Sequence, residues 1–89
     1  MATVLLSHKV NDYEAWRPYF DEDTPRRREA GFRNEKVYRK ADEPNKVYIQ
    51  AEMDDVMALD KFMKDPGLEA KMKEAGVVSA PEVLILTPA

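Results

Sequence analysis

The stretch Val37-Tyr-Arg-Lys-Ala-Asp-Glu-Pro-Asn-Lys-Val-Tyr-Ile-Gln-Ala-Glu-Met53 decides the fold. In its second half, Val47, Ile49, Ala51 and Met53 alternate with Tyr48, Gln50 and Glu52. A period of two is that of a β-strand with one face buried, so Lys46 to Met53 is expected to be a strand. Phe32 to Lys40, with Phe32, Val37 and Tyr38 as apolar members, forms the strand before it. Between them Ala41-Asp42-Glu43-Pro44-Asn45 breaks the pattern with proline and asparagine, which makes an antiparallel hairpin the expected connection.

Outward from the hairpin, each side repeats a strand and a helix. Thr3 to Val10 is a strand, and Asn11 or Asp12 offers an N-cap to a helix that runs to about Ala30 and stops at Gly31. Pro18 and Pro25 fall together on the side opposite Trp16, Tyr19 and Phe20. Prolines there bend a helix convex toward solvent, so one bent helix is expected. The alternative is a short turn from Asp12 to Arg17 and a new helix from Pro18. After the hairpin, Asp54 or Asp55 caps a helix with Val56, Leu59, Phe62 and Met63 on one stripe. Asp65-Pro66 restarts it as cap and first helical residue. Leu68, Met72 and Ala75 continue the stripe and Gly76 ends it. Beyond Pro81, Glu82 to Thr87 is the last strand.

The order β-α-β-β-α-β, with the second helix broken in two, defines an α+β fold of the ferredoxin-like plan. Residues 1–89 form a single domain with a four-stranded antiparallel sheet, helices on one face and strand order 4-1-3-2. The other face is left open. Apolar residues occupy both rows of the first and last strands, so a homodimer closing through the open sheet face is expected. A domain of 89 residues buries only roughly 60–65% of its unfolded surface, and a dimer would add to that.

Composition removes several chemistries. There is no cysteine, hence no disulfide, zinc–thiolate site or thiol nucleophile, and the single histidine precludes a multi-histidine metal site within one chain. No metal and no cofactor are expected. The net charge of −3 does not suggest nucleic acid. Arg26-Arg27-Arg28 lies among Asp21, Glu22, Asp23 and Glu29 and is expected to be a solvated, salt-bridged helix end rather than an anion site. No run approaches the roughly 20 apolar residues of a membrane span, and MATVLLSHKV is too short and lacks a basic leader, so a cytoplasmic protein is expected.

Several stretches carry a family resemblance: VNDYEAW from Val10 to Trp16, RREAGF from Arg27 to Phe32, the hairpin through Asp55, and FMKDPGLEAKMKEAGVVSAPEV from Phe62 to Val83. They resemble the dimeric α+β barrel superfamily, and within it the small antibiotic biosynthesis monooxygenase-like and cyclase-like proteins. The resemblance implies dimerisation through the sheets and a cavity between sheet and helices. Some similar proteins oxidise polyketide aromatics without metal or flavin, and others degrade haem. The haem-degrading relatives use an asparagine, a tryptophan and a histidine, the latter two late in the chain. His8 and Trp16 come early, so that set does not map.

The candidate catalytic residue is His8, which shares strand parity with Val4, Leu6 and Val10. If that row faces the helices, His8 points into the cavity as a general base; otherwise it is a hydrogen-bonded histidine at a strand end or dimer interface. Tyr13, Trp16 and Tyr19 are candidate substrate-binding residues that could stack on a flat aromatic molecule, the plainer reading being core. Asp23 and Arg27 fall on the same inward arc, either pairing with each other or orienting a polar ligand. Two functions stand side by side. One is a cofactor-independent monooxygenase or cyclase acting on a small hydrophobic or aromatic molecule. The other is a non-catalytic ligand-binding, structural or accessory homodimer. With an enclosed cavity above about 300 Å³ holding His8 and at least one tyrosine, the enzyme and ligand readings survive; a filled interior with His8 at the dimer interface would remove both.

Overall fold

The computed structural model describes all residues from Met1 to Ala89. Its elements are β1 (Ala2–Lys9), α1 (Tyr13–Glu22), α2 (Thr24–Glu29), β2 (Arg33–Lys40), β3 (Glu43–Met53), α3 (Val56–Met63), α4 (Pro66–Glu74) and β4 (Glu82–Leu86). The sheet is antiparallel throughout, in the order β2-β3-β1-β4, as the crossover rules require.

The alternation in β3 sets which face is inside. Val47, Ile49, Ala51 and Met53 are all buried, and their partners on β1 are His8, Leu6, Val4 and Ala2. Phe32, Trp16, Leu59, Phe62 and Leu68 close the core from the helix side. Tyr48, Gln50 and Glu52 therefore lie on the open face, where the Asn34 amide donates to Glu52 over 2.8 Å.

The first helical segment is two helices rather than one bent helix, and the break falls at Asp23 rather than at Pro18. Pro25 sits in the first turn of α2, where a missing N–H costs nothing. The Asp21 carbonyl that Pro25 cannot bond accepts instead from the Thr24 hydroxyl at 2.6 Å. Pro18 remains inside α1 on its exposed side. The hairpin turn is also tighter than expected. Lys40 pairs with Glu43, leaving Ala41-Asp42 as the turn, and the residues around Pro44 bulge from the ladder. Asp65 behaves as its sequence context suggests: its carboxylate accepts from Gly67 N–H at 2.9 Å and Pro66 opens α4.

β4 is an unusual edge. Val83 and Ile85 share the helix-side row with Leu6 and Val4, and Leu84 and Leu86 lie on the open face with Leu5 and Thr3. All four are substantially exposed, from 39% at Val83 to 54% at Leu84. No helix covers the inner row and nothing covers the outer one.

Candidate functional site

Strand parity carries His8 to the helix side, in the buried row with Val4 and Leu6. Trp16, one turn into α1, meets it edge to face with ring centroids 5.7 Å apart. Phe20 stacks on Trp16 at 4.9 Å and Tyr13 tilts against it at 5.8 Å. The i, i+3 and i+4 spacing of Tyr13, Trp16 and Phe20 puts all three rings on one face of α1.

Beside these rings lies a cavity between the sheet and the two helical arms. Its sheet floor is Leu6, His8 and Ile49. The α1–α2 arm contributes Trp16, Tyr19, Phe20, Asp23 and Arg27, and the α3–α4 arm adds Phe62, Met63, Leu68, Lys71, Met72 and Ala75. A water-sized molecule can be centred within ≈ 70 Å³, and the whole empty space, including the mouth open to solvent, is ≈ 620 Å³. The first figure falls short of the roughly 300 Å³ of a drug-sized pocket. A bicyclic ligand would need the arms to part.

His8 is 5% exposed, and its Nδ1 is buried without a hydrogen-bond partner. Burial lowers its pKa below the ordinary value of 6.5. Proximity to its own backbone draws the value part of the way back, although the geometry there makes no hydrogen bond, and the charge of Lys46 lowers it further. The imidazole is thus neutral at neutral pH, with one nitrogen unpaired. Buried polar atoms are nearly always paired, so an orphan of this kind marks either stored cost or an unfilled binding partner.

The structure separates Asp23 from Arg27. Asp23 accepts from Arg26 Nε at 3.1 Å, whereas Arg27 donates through Nε to Glu35, through Nη1 to the Phe20 carbonyl at 2.7 Å and through Nη2 to Thr24 Oγ1 at 3.0 Å. Its guanidinium also lies 3.6 Å from the Phe20 ring centroid. The side-chain pair of Asp23 with Arg27, one of the two arrangements considered, therefore does not form. The arginine run is salt-bridged as expected, with Arg26 reaching Asp65 at 2.7 Å, but it is not a wholly solvated helix end, since Arg27 is buried. The signal missed in the sequence is Glu35. Asn34 takes a left-handed φ of 51° at a register shift in β2, and Glu35 comes to face Arg27.

Of the residues singled out beforehand, His8, Trp16, Tyr19, Asp23 and Arg27 line the cavity together. Tyr13 lies outside it. Its hydroxyl accepts from Arg17 at 3.1 Å, and Arg39 covers its ring at 4.1 Å. Lys71 was not anticipated. It is half-buried at the cavity, with Nζ 5.9 Å from the Tyr19 ring centroid. No group of three or more histidine, aspartate or glutamate side chains comes together in a way that could hold a metal ion. No helix is long and apolar enough to cross a membrane.

No family model matches the chain. No curated protein matches it in sequence. Solved structures do match over the full length. An antibiotic biosynthesis monooxygenase superposes with a TM-score of 0.71 at 16% identity, covering 100% of this chain and 99% of its own. SnoaB, a cofactor-independent oxygenase from Streptomyces nogalater, gives 0.71 at 16% identity, covering 99% and 94%. Rv0793 from Mycobacterium tuberculosis gives 0.66 at 20% identity, covering 100% and 96%. The chain has the ferredoxin-like α+β fold of the antibiotic biosynthesis monooxygenase-like proteins. At these identities the likeness is one of fold, and function has to be argued from the site.

Proposed function

We propose that this protein is a homodimer that binds a flat aromatic molecule between its sheet and helices, with His8 as the proton acceptor of a cofactor-independent oxygenation. The observation that carries the reading is the orphaned Nδ1 of a neutral, buried His8 beside Trp16 at an apolar cavity. A neutral imidazole held among apolar groups can take a proton from an acidic O–H or C–H of a bound aromatic. The resulting anion is rich enough in electrons to reduce molecular oxygen. One oxygen atom enters the product and the other leaves as water, with two substrate hydrogens. SnoaB, of the same fold, is described as a cofactor-independent oxygenase, which is consistent with this chemistry but does not carry it.

One observation favours a binding protein without turnover. Asp23, the only carboxylate lining the cavity, is engaged by Arg26, so no free carboxylate stands beside His8 as a second acid–base group. The two readings divide cleanly in an experiment. Freshly purified protein is examined by native mass spectrometry for a co-purified aromatic compound, and hydroxylated bicyclic and tricyclic aromatics are then screened in an oxygen electrode. Oxygen uptake that His8→Gln abolishes while leaving binding intact supports the oxygenase. Binding without uptake across the screen leaves the binding protein, and no binding at all overturns both.

The dimer belongs to the same proposal. Leu84 and Leu86 at one edge of the open face and Tyr38 at the other are exposed apolar side chains, and a second copy closing on that face would cover them.

A further inference from the structure

The cavity is not electrically balanced. Asp23 is paired with Arg26 and Arg27 with Glu35, while His8 is neutral by burial. Lys71 is the one charged group lining the cavity with no partner of opposite sign within ion-pairing distance. Its ammonium lies on the Tyr19 side, 5.9 Å from the ring centroid. A lysine that is partly buried at the cavity and pairs with no carboxylate leaves its charge for a ligand to meet. His8, whose Nδ1 is buried without a hydrogen-bond partner, lines the same cavity, and apolar side chains such as Leu6, Ile49 and Met72 make up most of the remaining wall.

From this arrangement we infer that the ligand is an aromatic acid: Lys71 pairs with its anionic group, while its ring system lies along the apolar wall toward His8. The inference rests on the cavity being a ligand site, and it names the chemical class of that ligand. An uncharged aromatic would leave Lys71 as uncompensated as it is in the free protein. A cationic one would be repelled by it. A carboxylate, phenolate or enolate would supply the missing counter-charge in a partly desolvated setting, where such hydrogen bonds are strongest.

The test uses the full chain and two compounds that differ in charge but hardly in shape, 1-naphthoate and 1-naphthamide. Binding is measured by calorimetry for the wild type and for Lys71→Met, Lys71→Arg and Lys73→Met, the last on an exposed position of the same helix. The wild type and Lys73→Met should bind naphthoate at least about tenfold more tightly than naphthamide, the preference a charge-assisted contact confers. Lys71→Met should lose that preference with naphthamide binding unchanged, which also shows the variant to be folded. Lys71→Arg should retain it. Equal affinity for both compounds in the wild type, or a preference that survives Lys71→Met, overturns the inference and leaves the cavity as a site for neutral aromatics. If the wild type binds neither compound, the cavity reading falls and the inference with it.

Discussion

Arg26 of α2 donates from Nη1 to Asp65 Oδ2 at the start of α4, over 2.7 Å. No other hydrogen bond or ion pair crosses from the α1–α2 arm to the α3–α4 arm. The two arms are the two walls of the cavity, and this contact, which lies outside the residues lining it, ties them together beside it. Arg26 is also held by Asp23 on its own side, which fixes the guanidinium for Asp65.

The first prediction concerns that contact. Asp65→Asn keeps an N-cap for α4 but removes the charge that Arg26 meets. Both side chains are partly exposed, at 33% and 42%, so the loss in stability should be small, about 0.2–1 kcal/mol as for other exposed pairs. The kinetic effect should be larger than the thermodynamic one, with faster association of an aromatic ligand and faster hydrogen exchange in α4. Unchanged association with a normal melting temperature would show that the arms part elsewhere.

A second pair should behave in the opposite way. The Arg27 and Glu35 side chains are only 7% and 11% exposed, and each relies on the other for its charge. Glu35→Leu leaves Arg27 buried without a counter-charge and should cost about 3–5 kcal/mol. Arg27→Met combined with Glu35→Leu should recover most of that, because two apolar residues of similar volume tolerate the same site. Urea denaturation of the wild type, both single variants and the double variant gives the coupling directly. Additive losses would mean that the pair contributes little.

These two pairs also mark where the sequence was legible and where it was not. Element order, strand order and both Gly-terminated helix ends follow from local pattern: the alternation of Val47 to Met53, the Asp65-Pro66 restart, and positive φ at Gly31 and Gly76. The break at Asp23 was hidden because it depends on a substitute donor, the Thr24 hydroxyl, standing in for the amide that Pro25 lacks. Glu35 was hidden because a single left-handed residue, Asn34, sits at the shift in β2 register that precedes it. The row shared by His8, Leu6 and Val4 was legible from parity, but which row faces inward is set by helix packing. Lys71 sits on a helix among other charged residues and carries no mark in the sequence; only the pairing of its neighbours isolates it.

The third prediction follows from His8. Its folded pKa lies below the unfolded value of 6.5, so between the two the unfolded chain binds more protons than the folded one. Above about 6.5 His8 therefore has no effect on stability through protonation. As pH falls from there toward the lowered folded pKa, stability is lost, and below that value the loss is complete. Chemical denaturation across pH 7.5 to about 4.5 should show this slope in the wild type and a flatter one in His8→Gln, the carboxylates being common to both. Identical slopes would mean that His8 titrates normally in the folded protein.

The last prediction tests the open face. A row in which Leu84 is 54% and Leu86 46% exposed is costly for an isolated protomer, and a second copy meeting the same row would remove it from water at about 25 cal/mol per Å². Folding and association are then linked, and the melting temperature should rise with protein concentration. Sedimentation equilibrium should give a dimer for the wild type. Leu84→Glu places a charge on the open face of each copy, brought close across a two-fold interface, and should give a monomer whose melting temperature no longer depends on concentration. Val83 points to the helix side, so Val83→Thr should leave the open-face contact intact and sediment as the wild type does. A wild-type melting temperature that stays constant over a hundredfold range of concentration would rule out an obligate dimer, and the exposed row would then need another partner.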